Sequence, residues 1–154
     1  MERRDFVKLS LITYPCLIIS NASVSVNNPI GVITRPSPFA VPETMDRLVA
    51  CLEEHGATLY ARIDQQAEVQ RAGQSIPPLE FILFGNPKAG GKVMALKPLA
   101  ALDLPLKVIV WEDKQKQHWL AYNKADYIGE RYTLPDGLVT PLNLDNLIDQ
   151  ALKL

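Results

Sequence analysis

Two runs of strand-type residues, 106–111 and 118–123, are separated by a short polar link centred on residues 114–117. A link that short can turn a chain back on itself. It cannot carry it to the far end of a sheet, because parallel neighbours need a crossover of a dozen or more residues. The two runs are therefore expected to form an antiparallel hairpin, which excludes a purely parallel α/β sheet. In the second run Trp119 and Ala121 alternate against His118, Leu120 and Tyr122.

The rest of the chain is arranged around that hairpin. Residues 30–34 read as a first strand, ended by Pro36-Ser37-Pro38. Residues 42–55 read as a helix, with Met45, Leu48, Val49 and Leu52 on one apolar face. Pro42 suits its first turn, Glu43 and Asp46 suit its positive end, and Gly56 suits its exit. Residues 58–63 alternate as a strand, 64–72 are polar and helix-permissive, and 79–84 form a compact buried strand. Asn86 to Gly91 is expected to be a tight loop, with a short helix starting at Lys92. Residues 125–132 read as a short helix, 133–141 as a loop, and 144–154 as a terminal helix with Asn143 as its cap. Strands without a regular helix between each pair favour an α+β fold: a mostly antiparallel sheet with helices packed on one face.

Four blocks, in order, resemble the domain of unknown function 302 family. They are Tyr60-Ala61-Arg62-Ile63-Asp64, Phe84-Gly85-Asn86-Pro87-Lys88-Ala89-Gly90, Asp103-Leu104-Pro105-Leu106-Lys107 and Val110-Trp111-Glu112-Asp113. The likeness spans residues 30–132. It implies a curved antiparallel sheet of TATA-binding-protein-like architecture, and a homodimer, since family members tend to pair. It implies no activity. In the family the aspartate of the first block is commonly followed by histidine. Here that position is Gln65, so no metal or proton-transfer role carries over.

The chain opens Met1-Glu2-Arg3-Arg4-Asp5-Phe6-Val7-Lys8, which resembles a twin-arginine export motif. Glu2 and Val7 depart from the usual residues. The apolar stretch 9–19 is too short to span a bilayer, which takes roughly 20 residues, and suits a signal core. Residues 1–26 are thus expected to be an export signal and 27–154 a single domain, periplasmic or exported after signal removal. The structural alternative is that 9–26 supply the first two strands. Of the two cysteines, Cys16 falls in the leader, so Cys51 alone would remain and no internal disulfide could form.

The chain of 154 residues has a net charge of −1, and the leader accounts for three basic and two acidic residues. The chain has no basic excess with which to neutralise a phosphate backbone, so nucleic acid is not an expected partner. Stable membrane insertion is not expected either. There is no His-x-x-x-His, cysteine pair or carboxylate cluster, and hence no expected metal or cofactor.

The candidate site residues lie on the 85–91 loop and around it. Gly85, Gly90 and Gly91, with Lys88 nearby, could turn backbone N–H groups toward an anion. The same residues, with Asn86 at the corner, also fit a plain tight turn using positive φ. Asp64 ends a strand, where it either reaches a cleft or caps the next helix. Asp103 lies among apolar residues, where it either works as an acid or accepts backbone N–H bonds. Tyr122, with Trp111 and Trp119, either lines a pocket or packs the sheet. The leading expectation is an exported protein that binds a small ligand, anions among the candidates, or serves as an accessory to a protein partner. The alternatives are an enzyme using an Asp acid or base beside residues 85–91, and a structural homodimer module.

Overall fold

The computed structural model describes residues 28–154. The leader expected at 1–26 lies outside them. Five strands form one sheet: β1 (Val32–Ser37), β2 (Thr58–Asp64), β3 (Leu79–Gly85), β4 (Leu106–Glu112) and β5 (His118–Asn123). Their order is β1-β5-β4-β3-β2 and every neighbouring pair is antiparallel. The hairpin β4–β5 is held by Asp113, whose carboxylate accepts from the backbone N–H of Gln115 and Gln117 and from Trp119 Nε1 at 2.8 to 2.9 Å. Burial opposes that charge. These three donors outweigh it and hold the Asp113 pKa below its ordinary value.

The helices are α1 (Val41–Glu54), α2 (Gln65–Arg71), α3 (Pro87–Leu96), α4 (Ala125–Tyr132), α5 (Asp136–Val139) and α6 (Asp145–Ala151). Helix α1 lays Met45, Leu48 and Leu52 onto the sheet face formed by Ile82, Phe84, Val108, Val110, Leu120 and Tyr122. Ile128 and Tyr132 of α4 and Ile148 of α6 complete this α+β core. Cys51 is buried and free. Arg62 spans β2, β3 and α1, bonding Glu80 at 2.7 Å and Asp46 at 2.5 Å.

Three local expectations change. Strand β1 does not end before Pro36 but runs through it to Ser37, with Pro36 opposite Trp119. It is an edge strand, so half its N–H groups face no neighbour and a proline costs no ladder bond there. The expected 86–91 loop is the first part of α3. Asn86 caps that helix, its side chain accepting from Lys88 N and Ala89 N, and Pro87 takes the first turn, where no N–H is missed. Gly90 and Gly91 are therefore helical, and neither has the positive φ of a turn. The expected 133–141 loop contains α5 and leads into a 3₁₀ turn at Thr140–Leu142, and the terminal helix is shorter than expected. Asn143 does accept from Asp145 N at 2.8 Å, immediately before α6.

Candidate functional site

Strand β2 carries an irregularity between Leu59 and Ala61, which leaves Tyr60 outside the pairing with β3. A bulge of this kind re-aims one side chain. Tyr60 is half exposed and its ring comes against Gly85, so that a methyl group on Gly85 would touch Tyr60 Cε2 at 3.7 Å. Asn86 then turns the chain into α3, which brings Ala89, Gly90 and Met94 to the same place. Leu104, Pro105 and Leu106, at the entry to β4, and Pro141 and Leu142 close the opposite wall. The result is a cleft of about 60 Å³. One water takes up roughly 10–15 Å³ of such space, so the cleft holds a group of only a few heavy atoms.

The walls are mainly apolar. Asn86 supplies the polar edge: its Oδ1 is occupied by the two helix N–H groups, and Nδ2 has no acceptor among the described residues. Lys88 is exposed one residue into α3. The arrangement suits a small group with an apolar body and one acceptor atom. A bare anion at the helix start fits less well, because the Asn86 oxygen already takes those N–H groups.

The structure brings Gly85, Asn86 and Gly90 together at this cleft, with Lys88 beside it. Gly91 is not among the lining residues. Asp64 stands at the opposite end of β2, six residues from Thr58, which pairs with Gly85; at about 3.3 Å per residue the separation is roughly 20 Å. There it caps α2, accepting from Ala67 N at 2.9 Å.

Asp103 adjoins the cleft through Leu104 but is fully engaged. It accepts from Tyr132 Oη at 2.6 Å, Arg131 Nη1 at 3.2 Å and Asn123 Nδ2 at 3.3 Å. The donors are side chains, where backbone N–H groups were expected. The bond to Asp103 is the main cause of a raised Tyr132 pKa. Tyr122 is a strut between β5 and α6, donating to Asp145 Oδ1 at 2.7 Å. Burial first, then that bond, pushes its pKa up to about 12. Trp111 and Trp119 face each other across β4 and β5. Among the described residues no three His, Cys, Asp or Glu side chains converge as a metal set would.

Tyr60, Met94, Leu104 to Leu106, Pro141 and Leu142 line the cleft without being among the candidates that the sequence offers. Tyr60 sits in a block that carried the family resemblance, but a bulge leaves no mark on strand alternation. Pro141 and Leu142 lie more than fifty residues from Asn86 along the chain, and only the fold brings them there.

Residues 33–152 match the family model described as "Domain of unknown function DUF302". A crystal structure described as an uncharacterized conserved protein DUF302 from Bacillus stearothermophilus superposes with a TM-score of 0.66 at 17% identity, covering 80% of this chain and 97% of that one. At that identity the likeness speaks for the fold alone. Curated relatives include fluoride-specific ion channel FluC 1 of Brucella suis, 36% identical over 104 residues, which are 68% of this chain and 41% of the relative. Fluoride-specific ion channel FluC 2 of Brucella melitensis matches at the same identity over 38% of its length. The chain thus spans about two fifths of the curated relatives it matches.

Proposed function

The chain belongs to the family described as domain of unknown function DUF302, whose description names no activity, and on that premise we propose that it is a non-enzymatic binding or accessory protein that takes a small ligand in the cleft between Tyr60, Asn86 and Met94. The observation that carries this reading is the convergence of separate chain segments on one small apolar hollow with a free amide donor at its edge. Ligand sites commonly combine apolar walls with a few placed polar groups. The size of the cleft and the nearby Lys88 favour short carboxylates. The accessory part of the reading draws support from the Brucella relatives, where a segment like this one makes up about two fifths of proteins named as fluoride channels. If residues 1–26 act as the export signal, binding takes place outside the cytoplasm. Fractionation of the native host, with Arg3→Lys/Arg4→Lys as the retained control, tests that address.

The binding test is a titration followed by amide NMR shifts, with acetate, butyrate and fluoride as probes. A short carboxylate is expected to shift Gly90 and Met94, and Tyr60→Ala or Met94→Ala to weaken it at least tenfold. Lys88→Ala is expected to weaken it without lowering the melting temperature. No shift at millimolar probe, or parental binding by the cleft variants, refutes the proposal.

A homodimer module is the second reading, favoured by the sheet face that carries none of the core helices. Alternation places Ile63, Phe81, Ile109, Trp111 and Trp119 on it. Sedimentation velocity tests it: a dimer that Trp111→Lys converts to monomer supports this reading, and a monomeric parent at 100-micromolar order removes it. The acid–base alternative has less support, since Asp64 is remote from Asn86 and Lys88 and Asp103 is tied to three donors.

A further inference from the structure

Helix α3 and the 3₁₀ helix that follows it, Pro98–Leu102, form a continuous surface strap. Val93 and Ala100 are its buried anchors, at 1% and 0% exposure. Between and beyond them, Met94 to Leu99 and then Ala101 and Leu102 are all exposed. Leu96 is 52% exposed, Leu99 73% and Leu102 75%. Leu99 and Leu102 are three apart in a 3₁₀ helix, where residues at that spacing eclipse, so they project from the same side. Large apolar side chains this bare are uncommon in such density and mark a surface with a use.

Charge indicates the use. From Phe81 to Leu102 the chain has no aspartate or glutamate, yet it has Lys88, Lys92 and Lys97, all exposed. The whole chain has a net charge of −1, so positive charge is concentrated along this strap. Protein-binding surfaces are enriched in aromatics, methionine and arginine and depleted in lysine and alanine, and the strap has only Met94 of the first group but three lysines and several alanines of the second. From Met94 to Leu102 there is no aromatic and no arginine. Leucines flanked by lysines fit a lipid–water boundary instead. The leucines enter the acyl border and the lysines reach the phosphates from flexible stems.

We propose that the α3–Leu102 strap is a peripheral membrane-docking surface for anionic phospholipid. It goes beyond the cleft reading and does not need the cleft to be occupied. Nothing in it requires a spanning segment, and no described helix is long and apolar enough to cross a membrane.

The test is co-sedimentation of the full chain with vesicles of 3:1 phosphatidylcholine to phosphatidylglycerol (a composition of choice), against vesicles of phosphatidylcholine alone. A lysine near an anionic surface is worth about fivefold in affinity, so the three together predict on the order of a hundredfold preference for the anionic vesicles. Lys92→Gln/Lys97→Gln is expected to lose about 25-fold. Leu99→Ser/Leu102→Ser is expected to lose at least tenfold, taking each leucine as only partly inserted. Both variants change exposed side chains, and an unchanged far-ultraviolet melting curve establishes that they fold. Binding by residues 1–26 instead of the strap would leave both variants at the parental level, which overturns the proposal. So do equal binding to both vesicle types, and leucine variants that alter self-association while the parent stays in the supernatant.

Discussion

Removing Arg62 should damage this protein more than removing any surface arginine, because Arg62 is what allows Glu80 to be buried. The Glu80 side chain is 12% exposed and that of Arg62 31%. Arg62 Nε donates to Glu80 Oε2, Nη1 to Asp46 Oδ1, and Nη2 to Pro42 O at 3.3 Å. Burial works against the guanidinium charge, but its bonds to Glu80 and Asp46 outweigh burial and raise its pKa. Arg62→Leu keeps an apolar stem and strands a carboxylate opposite Val110 in the sheet. Breaking a fully buried pair from one side costs about 3–5 kcal/mol. Arg62 retains some contact with water, so about 2–3 kcal/mol is the working figure. For a domain of this size that corresponds to a melting temperature lowered by roughly 6–15 °C.

The assay is thermal unfolding of the parent, Arg62→Leu, Glu80→Leu and the double variant. The double variant should recover most of the loss, since it removes the stranded charge along with its partner. A single variant melting within a degree of the parent would refute the reasoning. A double variant no more stable than Arg62→Leu would do the same, showing that the loss lay in packing.

Gly91→Ala should stabilise α3 by about 1 kcal/mol, since the position is helical and an added methyl meets nothing within 4 Å; a lower melting temperature would restore the turn reading of residues 86–91. Gly31→Ala should cost more than about 2 kcal/mol, because φ is +79° and the new methyl would lie 2.2 Å from Tyr127 Cγ. Gly56→Ala is the contrast: φ is +68° with open space around it, so only the left-handed backbone cost of about 1–2 kcal/mol applies; chemical denaturation of both variants should separate them. Tyr122 has its pKa raised to about 12, so the unfolded chain loses that proton first as pH rises. Its contribution is therefore complete below about pH 10 and is lost between about pH 10 and 12, with a slope of up to about 1.4 kcal/mol per pH unit. Tyr122→Phe should flatten that part of the stability profile, and a profile unchanged by it would remove Tyr122 as the cause.

Much of the fold was legible because the rules that set it are local. Helix α1 follows from apolar residues recurring at helical spacing, and α4 lies where it was expected, at Ala125–Tyr132. The cap at Asp64 needs only a side chain three residues from an N–H group. Hairpin β4–β5 needs only a short link, and it forces the antiparallel arrangement. The glycines of α3 misled because propensity is weak: Asn86 and Pro87 start the helix, and Val93 packs it against the core despite Gly90 and Gly91.

What no local rule contains is which segments meet. Pro36 is tolerated in a strand only because β1 lies at the sheet edge, and that position is a property of the whole sheet. Asp103 attracts attention as an acid among apolar neighbours. That its partners are Asn123, Arg131 and Tyr132 depends on where β5 and α4 pack. The cleft is the clearest case. Gly85, Asn86 and Gly90 could be picked out along the chain, but the hollow also needs Tyr60 from a bulge and Pro141 and Leu142 from beyond α5. By itself the sequence determined α1, α4, the four later strands and the β4–β5 hairpin, through short-range spacing and capping, and from them an α+β sheet that is mostly antiparallel. The tertiary structure decided the candidate cleft, because a cavity is made by chain segments that touch only after the core between them has packed.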